Sequence, residues 1–249
     1  MILGDEPFVI LLILLLSHVL VDFFVQPRSW IEDRRANVWR SRKLYVHSLL
    51  AGVIPFILLG SLDNWLIIPI FALSHLLIDG VKARYDDDPR AFIVDQALHM
   101  AVVVLVWIFA FGTHSSDSLV SWLGDIWNGP RTLLVLLGVA VLTMPSGIFI
   151  GKVMQRWAPT DDSDSAHPKG SDAKGLADAG RYIGFAERLM IFVLVLANQF
   201  TVIGFVIATK SIFRLREGSE RAEYYLIGTM LSFSIAIAVS ISIRYLMGW

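Results

Sequence analysis

The chain has 249 residues, of which 55% are hydrophobic and only 17% charged, and its mean hydropathy is +0.63. Soluble domains carry roughly 25% charged residues, so a soluble globular enzyme and a disordered chain are both excluded. The net charge of −1 leaves no basic field for nucleic acid, and a cysteine count of zero removes disulfides, thiolate zinc sites, cysteine nucleophiles and iron–sulfur clusters.

A membrane-crossing helix needs about 20 mostly apolar residues. Seven runs fit in chain order, at 7–25, 44–60, 65–81, 92–111, 132–153, 185–209 and 224–246. The first lacks a basic leader and carries His18 and Asp22 within its apolar stretch, so it reads as a span and not as a cleavable signal. The expected fold is an all-α polytopic transmembrane bundle of about seven spans. Four parts are expected. A four-helix membrane half occupies 1–112, an outer loop and the fifth span 113–157, a flexible cytoplasmic linker 158–181, and C-terminal membrane helices 182–249.

Short loops rich in Lys and Arg stay in the cytoplasm. The 26–43 loop holds Arg28, Arg34, Arg35, Arg40, Arg42 and Lys43, and the 82–91 loop holds Lys82, Arg84 and Arg90. The N-terminus is therefore expected outside, in a multi-pass protein of the plasma (inner) membrane. One segment conflicts. Lys210, Arg214, Arg216 and Arg221 fall on the outer side if seven spans alternate. Either Lys210 and Arg214 turn inward to Glu187 or Glu223, or one run is re-entrant. The 158–181 stretch is rich in Gly, Ser, Asp and Pro and reads as linker. His167 within it and His114 in the outer loop read as solvated, and Trp122 and Trp127 suit an interfacial belt.

The remaining histidines are patterned. His18 and Asp22, His75 and Asp79, and Asp95 and His99 are each four residues apart, and His47 lies just inside the second span. Residues at i and i+4 share one helix face. Alternation of spans puts all seven groups at one membrane level, whichever way the protein is oriented. The run Leu16–Asp22 repeats at Leu73–Asp79, which suggests that the first four spans form two related helical hairpins.

An uncompensated Asp near the middle of a span costs about 2.5–3.5 kcal/mol, so three cost roughly 8–10 kcal/mol. A bound divalent ion or close His–Asp pairing offsets this. A lone pair of this kind reads as a structural contact or proton relay, but four helices supplying such groups to one level point to a metal. Imidazoles with carboxylates suit zinc first, with iron or manganese as alternatives, as one or two ions. The expected ligands are His18, His47, His75 and His99 with Asp22, Asp79 and Asp95, any non-ligating Asp serving as general base. Gln26 and Gln96 are expected to hydrogen-bond the ligands from outside. The basic residues Arg28, Arg34, Arg35, Arg40, Arg42 and Lys43 hold the loop inside and offer a surface for anionic headgroups.

The motifs H-x-L-x-D-F-x-x-Q at His18–Gln26, S-H-x-x-x-D at Ser74–Asp79 and D-Q-x-x-H at Asp95–His99 resemble the bacterial integral membrane family called domain of unknown function 3307. The stretches at Gly184–Arg188, Lys210–Arg214 and Glu223–Ser232 resemble its longer members. That resemblance implies no established activity. In motif style the His-x-x-x-Asp pattern is also similar to inner-membrane proteins labelled metal-dependent hydrolases.

The resulting expectation is an intramembrane metal-dependent hydrolase acting on a lipid-linked or amphipathic substrate near the cytoplasmic leaflet. A proton- or metal-ion transporter built on the same layer is the alternative, and a non-catalytic membrane scaffold is the third reading. Expected partners are membrane lipids and that substrate, with self-association left open.

Overall fold

The computed structural model describes residues 6–60, 64–85, 88–111, 130–157, 171–214 and 219–249, and among them every regular element is helical. The chain divides into two compact units, 1–140 and 141–249, with the boundary inside one helix.

In the first unit, α1 spans Glu6–Leu20 and continues as a π-helical turn over Val21–Val25. A short polar helix, α2, follows at Arg28–Asn37, where the sequence reads only as a loop. Helix α3 spans Arg42–Leu59, α4 Ile67–Lys82 and α5 Pro89–Val106, the last extended by a π-helical turn to Phe111. Two starts follow from local chemistry. The Ser41 hydroxyl accepts from Leu44 N at 3.2 Å to begin α3. Asp88 accepts from Ala91 N at 2.6 Å to begin α5, with Pro89 in the first helical position.

Helix α1 packs on α3 and α5, α3 on α4, and α4 on α5, so the contacts close a ring of four helices. The α3–α4 contact is the most extensive because Gly52 lets the two backbones touch. A Cβ at this position would lie 2.3 Å from the Ile68 carbonyl oxygen. At the other end of the ring the Trp107 indole donates to the Pro7 carbonyl, tying the end of α5 to the start of α1.

The second unit contains the later part of α6 (Pro130–Met154), with α7 (Ser171–Leu196), α8 (Phe200–Arg214) and α9 (Ser219–Leu246). Buried Arg188 on α7 donates to the Leu142 and Thr143 carbonyls of α6, and to the Ser232 hydroxyl of α9. Pro145 lies one turn or less beyond those carbonyls on α6, where a missing N–H disturbs the helix ladder.

Five helical segments are long and apolar enough to cross a membrane: Pro7–Val25, Arg42–Leu59, Pro89–Phe111, Pro130–Trp157 and Leu226–Leu246. The two expected spans that fall short are the third and the sixth. The third is α4, with 16 residues. The sixth is not one helix. The 185–209 run breaks at Ala197–Gln199, where Asn198 takes a left-handed conformation at φ 61°. The chain then turns back, and Lys210 on α8 pairs with Glu187 on α7. Apolar composition does not register such a break, because both arms of a hairpin are as apolar as one span. The turn brings Lys210 to Glu187, one of the two partners expected for it.

The expected linker is corrected in part, because residues 171–181 are helical and continuous with α7. Ala173, Ala177 and Ala179 favour helix there despite the polar composition. His114, His167, Trp122 and Trp127 lie outside the described residues.

Candidate metal centre

The i,i+4 pairs land where alternating spans require. His18 and Asp22 end α1, His47 opens α3, His75 and Asp79 end α4, and Asp95 and His99 open α5. All seven side chains meet inside the four-helix ring. His47, His75, Asp79, Asp95 and His99 are each at most 4% exposed, and His18 is 9% exposed. Their sequence neighbours Leu49, Leu73, Leu77, Val94 and Leu98 are all exposed. Polar groups inside and apolar groups outside is the arrangement that suits a lipid surrounding.

Four ligand-type atoms converge most closely. His75 Nε2 is 3.0 Å from His47 Nε2 and 3.1 Å from Asp22 Oδ1. It is also 3.6 Å from Asp79 Oδ2. His47 Nε2 is 3.6 Å from Asp22 Oδ1 and 3.5 Å from Asp79 Oδ2. Zinc bonds of about 2.0–2.1 Å place the donors of a tetrahedral site about 3.3–3.4 Å apart. The five separations above bracket that value, while Asp22 and Asp79 belong to different groupings around His75.

Satisfaction of the polar atoms gives a second test. Asp22 Oδ1, His47 Nδ1, Asp95 Oδ1 and His99 Nε2 are buried without a hydrogen-bond partner. Buried polar atoms are rarely left so. Two imidazole nitrogens stand near Asp22 Oδ1, His75 Nε2 at 3.1 Å and His47 Nε2 at 3.6 Å. A cation there would satisfy Asp22 Oδ1 and take the place of the His47–His75 contact. The donor set therefore fits a divalent ion.

Around these four atoms the other members take distinct places. His18 Nε2 is 3.9 Å from Asp22 Oδ2, and its ring stacks on that of His99 with centroids 5.2 Å apart. The His75 and His99 rings lie closer still, at 4.2 Å. His99 Nδ1 is 2.9 Å from the Asp95 carbonyl oxygen. A carbonyl only accepts, so Nδ1 carries the proton and Nε2 keeps a free lone pair. Three groupings have ligand atoms mutually within 4.8 Å: His18, Asp22 and His75; His47, His75 and Asp79; and Asp79, Asp95 and His99. Gln96 touches the cluster twice, with its amide 3.0 Å from Asp95 Oδ2 and its oxygen 3.3 Å from His18 Nε2. Gln26 instead caps the end of the π-helical turn, half-buried.

Two cations close the end of the cluster nearest α2. Arg34 reaches in from α2 to pair with Asp79, and Lys82 in the last turn of α4 pairs with Asp95. Arg34 thus departs from the expected headgroup surface, being 6% exposed, while Arg28, Arg35, Arg40 and Arg42 are exposed and Lys43 is half-buried. Nothing in the sequence separates Arg34 from its neighbours until α2 is known to be a helix lying across the bundle end. Lys82 was legible in principle, since it sits one turn after Asp79 on the same helix.

The seat of α2 is set by Trp39. Its ring fills the space where a Cβ on Gly80 would stand, within 2.2 Å. Arg84 lies over the same ring at 5.8 Å. Ser41 donates to Asp33, and that hydroxyl holds the half-buried Asp33 carboxyl below the usual carboxylate range. On the opposite side of the histidines lies a small cavity, with room for little more than one water. Ser17, His18, Ser74, His75 and His99 line it among apolar side chains such as Phe71 and Val103.

Among the described residues these features define a helical protein with five helices long and apolar enough to cross a membrane and a buried His/Asp cluster that could hold a metal ion. Residues 10–127 match the family described as protein of unknown function (DUF3307), so the resemblance read from the motifs is shown over the stretch that carries the whole cluster. The match ends before α6, and the resemblance seen in the C-terminal motifs does not rest on it. No curated protein and no solved structure matches the chain.

Proposed function

We propose that the protein is a metal-dependent hydrolase of the plasma membrane, with its centre near the cytoplasmic leaflet and a lipid-linked or amphipathic ester as substrate. The observation that carries this reading is the approach of Asp22 Oδ1 and Asp79 Oδ2 to the His47 and His75 Nε2 atoms, at 3.1–3.6 Å. Zinc is the first choice of ion, with iron or manganese next. When bound, the ion would polarise the scissile group and make water a better nucleophile at neutral pH.

The remaining roles fall to groups outside the four ligands. Asp95 keeps one oxygen without a hydrogen bond, and His99 beside it keeps a free lone pair. Asp95 or His99 takes the proton from the attacking water. The water oxygen forms a bond to the electrophilic centre, the bond to the leaving oxygen breaks, and the same proton passes to that oxygen. Gln96 bridges the cluster, donating to Asp95 and meeting His18 Nε2 with its oxygen.

The test is metal content by mass spectrometry on the detergent-purified full-length protein, beside His75→Ala and Asp22→Asn. One or two equivalents of zinc, iron or manganese in the wild type, lost in both variants, supports the proposal. A wild type that takes no metal after exposure to each ion at neutral pH overturns it. Proton flux in liposomes that stops in the same variants would then favour transport.

A further inference from the structure

We infer that the substrate is a phosphate ester, and that Arg34 and Lys82 are the side chains that hold its phosphoryl oxygens. This rests on the metal reading above and extends it from an unspecified ester to one chemical class.

The first argument is charge. The cluster holds three carboxylates, Asp22, Asp79 and Asp95, against two fixed cations, Arg34 and Lys82. With neutral imidazoles it carries one negative charge. A divalent ion reverses that to one positive charge, inside a membrane-embedded ring where an uncompensated charge is costly. A second divalent ion increases the excess. The loaded centre therefore accepts an anionic group without net repulsion.

The second argument is position. Arg34 pairs with the same Asp79 oxygen that stands among the four convergent ligand atoms. Its guanidinium is thus next to the ion's place. Lys82 approaches from α4 and pairs with Asp95, whose second oxygen has no hydrogen bond. Both cations sit at one end of the bundle, where the chain leaves α1 and α4 and enters α3 and α5.

The third argument is shape. The metal place, the Arg34 fork and the Lys82 ammonium are three electropositive groups supplied from different elements. A phosphoryl group presents several oxygens in different directions and can meet all three. A carboxylate presents two oxygens in one plane. The guanidinium has five donors and the ammonium three, so each can keep its carboxylate while donating to a phosphate oxygen.

The experiment uses full-length protein in detergent micelles, with zinc content measured on every sample before binding. Inorganic phosphate is titrated calorimetrically into zinc-loaded and zinc-stripped wild type, Arg34→Gln and Lys82→Gln, with acetate as the carboxylate control. The expected result is phosphate binding only to the zinc-loaded protein, at least tenfold tighter than acetate. Each variant should weaken phosphate binding at least tenfold with zinc content unchanged. Competition by micellar phosphatidic acid, but not phosphatidylcholine, would identify the phosphate as a lipid headgroup. Competition by glycerol phosphate alone would identify a soluble ester. Zinc-loaded protein that binds phosphate no better than acetate overturns the inference while leaving the metal site standing. So does phosphate binding that is unchanged in both folded variants. A wild type that never takes zinc, iron or manganese overturns the metal reading and this inference with it.

Discussion

Arg34 on α2 is buried against Asp79 on α4, 45 residues further along the chain, and each neutralises the other. Removing one partner of a buried pair strands the other. Asp79→Asn is expected to destabilise the metal-free protein by about 3–5 kcal/mol, because a guanidinium is left buried without a counter-ion. Adding Arg34→Met should recover most of that loss. Thermal unfolding in detergent on the two single variants and the double variant measures the coupling. Additive losses would show that the two side chains act separately.

Metal removal should also be visible as stability. A ligand that binds only the folded state at 100 times its Kd adds about 2.7 kcal/mol. The zinc-loaded protein is expected to melt higher than the chelator-treated protein, by an increment that grows with free zinc. The increment should vanish in His75→Ala. It should also shrink on acidification, since imidazole ligands must lose their protons to bind metal.

Two glycines test the packing beneath the site. Gly52→Ala places a methyl against the Ile68 carbonyl, where neither backbone can yield cheaply. It should cost about 1–3 kcal/mol, the usual range for overpacking, or more. Gly80→Ala pushes on the Trp39 ring instead, and a side chain can move. Its expected effect is to unseat α2 and expose Arg34, read as faster proteolysis within 28–41. Equal resistance of Gly80→Ala and wild type would sever Trp39 from the position of α2.

The α7–α8 turn has a direct topological readout. The cysteine count of zero makes single-cysteine labelling free of background. Arg181→Cys and Ile212→Cys should be modified by an impermeant thiol reagent from the same side of the membrane, and Asn198→Cys from the other side or not at all. Labelling of positions 181 and 212 from opposite sides would restore an unbroken sixth span.

Asp33 provides a pH test outside the spans. Its carboxyl is held below the usual range by the Ser41 hydroxyl, so its unfolded value near 4 is the higher one. The contribution is therefore present above about pH 4 and is lost as pH falls through the lower folded value. Asp33→Asn should lose stability relative to wild type at neutral pH, with the difference closing in acid. A constant difference from pH 3 to 7 would show that the charge of Asp33 does not matter.

The bundle and its polar centre were legible because both depend on periodicity. Apolar runs fixed five of the crossings, and i,i+4 spacing brought His18, His75 and His99 to one level. What escaped was long-range or local to the backbone. The break at Asn198 lies in a run with no change of hydropathy. The inward turn of Arg34 depends on α2, which has too few apolar residues to announce itself, and on a ring–glycine contact between Trp39 and Gly80 that spacing does not encode. Gln26 and Gln96 look alike beside their motifs, yet only the position on α5 carries its amide into the cluster.

The ion pair between the two arms of the α7–α8 hairpin bears on how the protein is made. Glu187 leaves the ribosome 23 residues ahead of Lys210. Until the second arm follows, Glu187 lacks its ion-pair partner Lys210. The pair can form only once both arms of the hairpin have been made. A chain that ends between Gln199 and Lys210 lacks this pair, so the hairpin closes only in the finished copy.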